Sequence, residues 1–301
     1  MPPVHVRVPA STANLGPGFD ALGLALALHN DVTAEEADGV TVVIDGEGAG
    51  KLATGDRNVV ARGVAAAFEA AGRRFRGCAL RCVNRIPLAR GLGSSAAAWV
   101  AGLVAGNALA GRALDRAALL TLAARLEGHP DNVAAALLGG LTVSCAGAGG
   151  VTAVSLDVPP ALAWVVLVPE TTASTAEARA VLPATVPRQD AVFNVQRVAL
   201  LLASLQRGDT AALAVSLEDR LHQPYRRRLF PWMPGVVAAA RAAGAVGCVL
   251  SGAGPSLLAV VQAGAGAADV GRAMERALAA SGVAGRAHAL DVDRAGATVV
   301  G

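Results

Sequence analysis

The chain has 301 residues, a formal net charge of +3, and 53% hydrophobic against 16% charged residues. This length favours two domains with substantial cores, and the small net charge argues against nucleic acid or an anionic membrane as a partner. We find no apolar run that fits a membrane span and no signal-peptide pattern. Four cysteines without a Cys-x-x-Cys pair are typical of buried thiols in the cytoplasm. Five scattered histidines argue against a transition-metal site.

The first half of the chain alternates between short apolar strands and helices. Apolar patterning predicts strands over residues 4–8, 40–44, 78–83, 141–145 and 151–156. Helical spacing predicts helices over 58–71, 96–109, 116–126 and 133–138, the third capped by Asp115. Residues 9–20 are dense in turn-forming residues and are predicted as a loop.

A proline pair, Pro159-Pro160, marks the predicted boundary between a first domain, 1–158, and a second, 159–301. The second half predicts strands over 163–169, 247–250, 257–261 and 286–292. Helices are predicted over 176–182, 190–206, 210–221, 236–243 and 267–280. Asp190 is expected to cap its helix, and 222–234 reads as a proline-rich connector. This alternation lacks a strict βαβ period and therefore predicts two α+β units.

The most informative stretch runs from Pro87 to Ala97, Pro-Leu-Ala-Arg-Gly-Leu-Gly-Ser-Ser-Ala-Ala. Its two glycines permit positive φ and a close backbone approach. Ser94 and Ser95 then fall at a helix N-terminus, where unpaired N–H groups and the helix dipole favour an anion such as phosphate. On this segment alone, a serine-capped buried helix is an equally good interpretation.

Several familiar motifs are excluded. The Walker phosphate loop needs a lysine after its second glycine, and Lys51 is the only lysine in the chain. Gly91-Leu92-Gly93 is followed by Ser-Ser-Ala, so the dinucleotide fingerprint fails as well. No serine has the Gly-x-Ser-x-Gly setting of a nucleophile elbow. A phosphate cradle without a lysine remains.

Further polar residues could complete such a site. Glu127 closes a predicted helix, where the macrodipole disfavours a carboxylate unless a cation lies nearby. It could bind Mg²⁺ together with a serine of the cradle, although an exposed or arginine-paired glutamate is the simpler interpretation. An acceptor for the phosphoryl group would lie among the polar loops 14–20, 129–132, 175–179 and 224–228.

These motifs carry a family resemblance. The segment 87–97 resembles the central motif of the GHMP small-molecule kinases, and 251–256, Ser-Gly-Ala-Gly-Pro-Ser, resembles their C-terminal glycine motif. The segment 9–20, Pro-Ala-Ser-Thr-Ala-Asn-Leu-Gly-Pro-Gly-Phe-Asp, is similar to the N-terminal signature of the homoserine kinases within that superfamily. The segments 127–134, 175–179 and 224–226 resemble the same family. Together the six segments extend along most of the chain.

The resemblance implies a fold, a reaction and a setting. The N-terminal domain would be like ribosomal protein S5 domain 2 and the C-terminal domain ferredoxin-like, with the active site between them. ATP would phosphorylate the side-chain hydroxyl of L-homoserine on the route to threonine, with Mg²⁺ as cofactor. The family tendency implies a homodimer. The cysteine pattern predicts a cytoplasmic protein, and the small net charge predicts no nucleic-acid or membrane partner.

The resemblance also assigns residues. Those expected to bind the nucleotide are Pro87, Leu88, Ala89, Arg90, Gly91, Leu92, Gly93, Ser94, Ser95, Ala96, Ala97 and, in an adenine pocket with Val59, Asn58. The metal would be held by Glu127 and Ser95, with Ser94 as the alternative serine. The guanidinium of Arg90 is expected to reach a phosphate.

The amino-acid substrate is a zwitterion that carries a hydroxyl group. Residues expected to bind it are Asn14, Asp20, Asn132, Thr175, Arg179, Arg226 and Gly254. The two arginines would take its carboxylate, Asp20 its ammonium group, and the two asparagines its hydroxyl. Sister kinases carry an aspartate base where this chain has Asn132, whose amide cannot accept a proton. Catalysis by positioning is therefore expected, with Asp131 as base the alternative.

Two other activities share these motifs. A sister kinase for mevalonate or another isoprenoid alcohol would keep the nucleotide loop but would leave Asp20 without an ammonium group to bind. A diphosphate decarboxylase of the superfamily would release phosphate and CO₂. A non-catalytic binding protein is disfavoured because Ser95 and Glu127 are both intact.

Overall fold

The computed structural model describes residues 2–300, and their strands form two separate sheets. In chain order the strands are β1 (Val4–Ala13), β2 (Leu22–Glu36), β3 (Gly39–Gly46), β4 (Gly77–Asn84), β5 (Leu141–Gly147), β6 (Gly150–Leu156), β7 (Leu162–Pro169), β8 (Gly247–Leu250), β9 (Leu257–Gln262), β10 (Gly285–Leu290) and β11 (Thr298–Val300). The helices are α1 (Val59–Ala70), α2 (Ser94–Leu109), α3 (Arg116–Glu127), α4 (Asp131–Leu138), α5 (Thr175–Ala180), α6 (Arg188–Arg207), α7 (Thr210–Ser216), α8 (Gln223–Arg226), α9 (Met233–Ala242) and α10 (Ala267–Ala280).

The first sheet has seven strands in the order β11-β1-β2-β4-β3, with β5 and β6 attached to the start of β2. Only the β3–β4 pair is parallel. β2 is long enough to pair β5 through Leu22–Leu24 and β4 through Asp31–Glu36. Because β11 pairs with β1, both ends of the described chain meet in this sheet. The helices α1 to α4 pack with it around one apolar core.

The second sheet has the antiparallel order β10-β7-β9-β8. Its strands with α9 and α10 follow the β-α-β-β-α-β plan of ferredoxin-like folds, and α5 to α8 are inserted between β7 and α9. The predicted α+β architecture in two units is confirmed. Pro159 lies between β6 of the first sheet and β7 of the second, and the domain limits at 158 and 159 stay a prediction.

The first strand is longer than its sequence pattern predicts. β1 continues through Pro9–Ala13, which had been assigned to a loop, and pairs with β2 across an irregularity between Pro9 and Ala10. The small side chains of this stretch are buried, so pairing with β2 overrides its turn-like composition. The true loop is therefore confined to residues 14–21.

Two predicted helix boundaries in the second half are wrong. α6 begins at Arg188 after Pro187, so Asp190 lies in the first turn instead of capping the helix. The helix predicted over 210–221 ends at Ser216, because the Asp219 carboxylate accepts the N–H groups of the turn that follows.

The connector predicted over 222–234 contains α8 and the start of α9. Each of these helices has a proline in its first turn, where the missing N–H group costs nothing. Within residues 2–300, none of the helices has the length and hydropathy needed to cross a membrane.

Candidate active site

A cavity of about 440 Å³ lies where loops of the two halves of the chain meet. Its walls come from the predicted phosphate loop, the N-terminal loop, the turn around His129 and the second glycine-rich loop. Every residue that the sequence analysis assigned to a site lines this cavity except Ala96, which is fully buried in the core. The cavity therefore gathers residues from Asn14 to Gly254 in one place.

The N-terminus of α2 forms one wall. Gly93 is its N-cap, with a φ of +67°, and no side chain caps this helix end. Ser94 and Ser95 are the first residues of the helix, and both line the cavity. The serine-capped helix is therefore not what forms here. The N–H groups of the first turn and the helix dipole remain available to an anion.

The glycines of this loop are needed because backbone atoms approach closely. A Cβ at Gly91 would lie closer than 3.0 Å to the carbonyl oxygen of Ser251 in the second glycine-rich loop, and one at Gly93 would meet the Ser11 hydroxyl. The Ser251 hydroxyl donates to the Gly91 carbonyl at 2.7 Å. The two glycine-rich loops and β1 thus hold each other in place beside the cavity.

Ser95 and Glu127 are paired directly. The Ser95 hydroxyl donates to Glu127 Oε2 at 2.8 Å, although the two residues belong to different helices. Burial raises the pKa of Glu127, and the hydrogen bond from Ser95 together with nearby His129 opposes this rise. A carboxylate at the C-terminal end of α3 with so little compensation is poised for a cation.

His129 lies between two carboxylates. Its Nδ1 is 2.7 Å from Asp131 Oδ1, and its Nε2 is 3.9 Å from Glu127 Oε1. Burial opposes protonation of this imidazole, but the hydrogen bond to Asp131 and the charges of both carboxylates raise its pKa on balance. Asp131 is the first residue of α4, and its Oδ1 also accepts the Asn132 N–H. This turn therefore concentrates charge at the edge of the cavity.

Asp20 and Arg179 form a two-pronged ion pair. The carboxylate oxygens of Asp20 lie 2.7 and 3.0 Å from the two terminal nitrogens of Arg179. The side chains are 35% and 38% exposed, respectively, so water reaches the pair. The hydrogen bond that Arg179 donates to Asp20 raises the pKa of Arg179 against the effect of burial. A negative and a positive group thus stand side by side on the cavity wall.

Arg226 is a deeply buried charge at the site, with 2% of the residue exposed. Its Nε donates to the Ala178 carbonyl, and its Nη1 donates to the Gly252 carbonyl and to His222 Nδ1. Within residues 2–300, Nη2 makes no hydrogen bond to protein. Burial, with the nearby Arg179 adding to it, lowers the pKa of Arg226 to about 10. A buried guanidinium with a free nitrogen suits a carboxylate ligand.

The chain matches two family models that share one superfamily. Residues 58–140 match the GHMP kinases N terminal domain, and residues 201–280 match GHMP kinases C terminal. The homoserine kinase of Moorella thermoacetica is 48% identical over 92% of this chain and 93% of its own. The chain belongs to the homoserine kinase family.

Solved structures agree with this family membership. The crystal structure of homoserine kinase from Cytophaga hutchinsonii superposes with a TM-score of 0.91 at 31% identity, covering 100% of this chain and 98% of that one. The mevalonate diphosphate decarboxylase of Staphylococcus aureus has a TM-score of 0.70 at 16% identity, covering 99% of both chains. The second likeness shows the fold alone, which members of the homoserine kinase family share with other enzymes.

Two residues assigned through the homoserine kinase resemblance are used differently from expectation. Arg90 Nε and Nη2 donate to the carbonyls of Pro169 and Glu170, so its guanidinium fastens the end of β7. Its contact with a phosphate stays a prediction. Asn14 donates to the Gly252 carbonyl and accepts the Asp20 N–H, which commits its amide to holding the N-terminal loop. Both lie at the cavity, but their polar groups are already engaged.

Other assigned residues keep groups that can face a ligand. Asn132 Oδ1 accepts the Ser11 hydroxyl at 2.9 Å, while its Nδ2 makes only a long contact of 3.4 Å to Asp131. Asn58 caps α1 by accepting the Val60 N–H, which fixes this wall of the cavity. Thr175 begins α5 beside the cavity.

Two residues behind the cavity wall, His222 and Phe19, were not predicted from the sequence as part of the site. His222 contacts Arg226 and the Gly16 carbonyl, and the Phe19 ring stacks on its imidazole at 5.2 Å. The spacing of His222 and Arg226, four residues apart, is that of neighbours on one helix face. This signal was hidden because the prolines around them predicted a non-helical connector.

Proposed function

We propose that this chain transfers the terminal phosphoryl group of ATP to the side-chain hydroxyl of L-homoserine, a step of threonine biosynthesis. One observation carries the proposal: the uncapped N-terminus of α2 and the charged side chains of Asp20, Arg179 and Arg226 line the same cavity. The helix N-terminus suits a nucleotide phosphate, and the three charges suit a free amino acid. Sequence identity to homoserine kinases over nearly the whole chain supports the same reaction.

The nucleotide half of the site is the loop from Pro87 to Ala97. Its glycines let the backbone bend close enough for N–H groups to reach phosphate oxygens. The rigid contact with the second glycine-rich loop holds these donors in place before the nucleotide arrives. Asn58 and Val59, at the start of α1, line the same cavity and provide the adenine side.

A magnesium ion fits the residues present. Ser95 and Glu127 offer a hydroxyl and a carboxylate oxygen, the hard ligands that Mg²⁺ accepts together with phosphates. Burial raises the pKa of Glu127, so a cation bound beside it would stabilise its charged form. Bound there, the ion would neutralise charge on the phosphates during transfer. Ser95 and Glu127 would hold it.

The acceptor half suits a zwitterion. Asp20 binds the ammonium group of homoserine, and Arg179 with the free Nη2 of Arg226 binds its carboxylate. In the free protein Asp20 and Arg179 satisfy each other, so the substrate replaces one ion pair by two. An isoprenoid alcohol has no ammonium group and would leave Asp20 paired only with arginine. This observation favours homoserine over mevalonate.

Catalysis relies on positioning. The Asn132 amide cannot take a proton, but its Nδ2 can donate to the substrate hydroxyl and orient it. Asp131 as base is tested by Asp131→Asn. Loss of a general base typically lowers the rate by a factor of about 10² to 10⁴. Because we expect no base role for Asp131, kcat of Asp131→Asn should fall by less than about 100-fold. A larger loss with an unchanged KM for ATP would assign the base to Asp131.

One assay tests the proposed function. Release of ADP is measured with L-homoserine, other amino-acid alcohols and mevalonate, each at saturating ATP and Mg²⁺. We expect turnover that depends on homoserine. Turnover with mevalonate in its place, or phosphate and CO₂ release from a phosphorylated acid, would refute the proposal. We further propose a homodimer in the cytoplasm, which size-exclusion chromatography with light scattering tests for the oligomeric state.

A further inference from the structure

His222 stands at a junction behind the cavity. It is fully buried and lies just before α8, between the N-terminal loop and the helix that carries Arg226. Its Nε2 is 2.8 Å from the Gly16 carbonyl oxygen, and its Nδ1 is 3.1 Å from Arg226 Nη1. The Phe19 ring stacks on it with an interplanar angle of 22°. One imidazole therefore contacts the two segments that carry Asp20 and Arg226.

The two partners fix the protonation state of this imidazole. A guanidinium nitrogen only donates, so Nδ1 must be the acceptor towards Arg226. A carbonyl oxygen only accepts, so the hydrogen must be on Nε2 towards Gly16. The geometry therefore requires a neutral imidazole with its hydrogen on Nε2. A proton on Nδ1 would break the bond and place two cations in contact.

The electrostatic surroundings agree with a neutral ring. Burial lowers the pKa of His222, and the charge of Arg226 lowers it further. Asp219 Oδ2, 3.5 Å from Nε2, opposes this, as does Asp20 from the N-terminal loop. The Asp219 carboxylate is itself engaged by the N–H groups of residues 221 to 223 and by Asn194. It fixes the start of α8 and does not claim the proton of His222.

We infer that His222 is a positioning residue for amino-acid binding: its neutral imidazole aims the Arg226 guanidinium and fastens it to the loop that carries Asp20. With Nε on Ala178, and Nη1 on Gly252 and His222, the plane of the guanidinium is fixed and Nη2 is left for the substrate. This inference rests on the proposed role of Arg226. His222 does not line the cavity, so it acts only through these neighbours.

Phe19 extends the same arrangement towards the substrate. Its ring lies 5.5 Å from the Arg179 guanidinium and 5.3 Å from that of Arg226, while its other contact is the His222 imidazole. The ring gives each cation a favourable cation–π contact. His222 supports this ring, so a change there is felt by both arginines and not by the nucleotide loop.

Two conservative substitutions divide the role of His222. The amide oxygen of asparagine takes the place of imidazole Nδ1, and the amide nitrogen of glutamine takes the place of Nε2. His222→Asn therefore keeps an acceptor for Arg226 and loses the bond to Gly16, while His222→Gln does the reverse. We expect His222→Gln to raise the KM for homoserine about tenfold, and His222→Asn to stay within about threefold of the wild type. The KM for ATP should be unchanged in both.

The outcomes separate this inference from the function on which it rests. Arg226→Gln serves as the reference: if it leaves the KM for homoserine unchanged, the proposed role of Arg226 fails. If it raises that KM but His222→Gln does not, only the inference fails. If both His222 variants raise the KM for homoserine and the KM for ATP by the same factor, His222 has a purely structural role and the inference is overturned.

A measurement on the unmodified protein covers the case of variants that do not fold. Nitrogen-15 NMR of the five histidines distinguishes the neutral tautomers from the charged imidazolium. We expect one neutral ring with its hydrogen on Nε2, protected from solvent exchange, at pH 7. The His222 ring is identified by its contact with the Phe19 ring. If that ring is charged, or carries its hydrogen on Nδ1, the inference is contradicted.

Discussion

Replacing Asp20 by asparagine separates substrate binding from stability at one position. Asp20 has a φ of +57°, in the left-handed region that asparagine tolerates almost as well as aspartate. Its N–H still bonds to Asn14 after the change. Alanine would add backbone strain, whereas asparagine removes only the charge. Any effect of Asp20→Asn on kinetics can therefore be attributed to the carboxylate.

The expected magnitudes differ for folding and for binding. The Asp20–Arg179 pair is more than a third exposed on both sides, and such pairs contribute at most about 1 kcal/mol to stability. The substrate ammonium group instead loses a charged hydrogen bond, which contributes about 1.5 to 3 kcal/mol. We therefore expect the KM for homoserine to rise roughly 10- to 150-fold. The KM for ATP should not change, because Asp20 is not part of the nucleotide loop.

The assay is steady-state kinetics with each substrate varied in turn, together with urea denaturation. Asp269→Asn is the matched control, because Asp269 pairs with Arg272 on α10 and neither residue lines the cavity. An unchanged KM for homoserine in Asp20→Asn would refute the ammonium role. A loss of unfolding free energy well above about 1 kcal/mol would refute the claim that the pair contributes little to folding.

The remaining predictions concern the metal pair and the phosphate loop. Glu127→Gln should abolish turnover while the fold is kept. Because burial raises the pKa of Glu127, the unliganded wild type loses stability as pH rises from the ordinary glutamate range to that raised value. Glu127→Gln cannot ionise and therefore lacks this loss of stability. The same pH dependence of the thermal midpoint in variant and wild type would contradict the prediction. Gly93→Ala and Gly72→Ala share φ near +65°, but only Gly93 would meet Ser11, while Gly72 has open space. We expect Gly72→Ala to lose about 1 to 2 kcal/mol, and Gly93→Ala to lose more and raise the KM for ATP. If the two variants lose similar free energies of unfolding and have similar KM values for ATP, the close approach of Gly93 to Ser11 is refuted.

Helix ends and the glycine loop were the features most readily predicted. Asp115 accepts the Ala118 N–H as its helix-capping position requires. Gly93 takes a positive φ and α2 begins at Ser94, within two residues of the prediction. These features depend on residues within one helical turn of each other, so local sequence contains the necessary information. The prolines of 222–234 were misleading because a proline fits the first turn of a helix as well as a connector.

By itself, the sequence predicted a phosphate loop without a lysine, determined that Gly91 and Gly93 permit its bend, and indicated which residues are chemically able to bind an amino acid. Tertiary structure decided how those residues are used. Asp20 meets Arg179, 159 residues away, and His222 meets Gly16, 206 residues away. Arg90, expected at a phosphate, is held by carbonyls at the end of β7. Such contacts depend on how two sheets pack together, and local patterns fix the shape of each segment but not its distant partner.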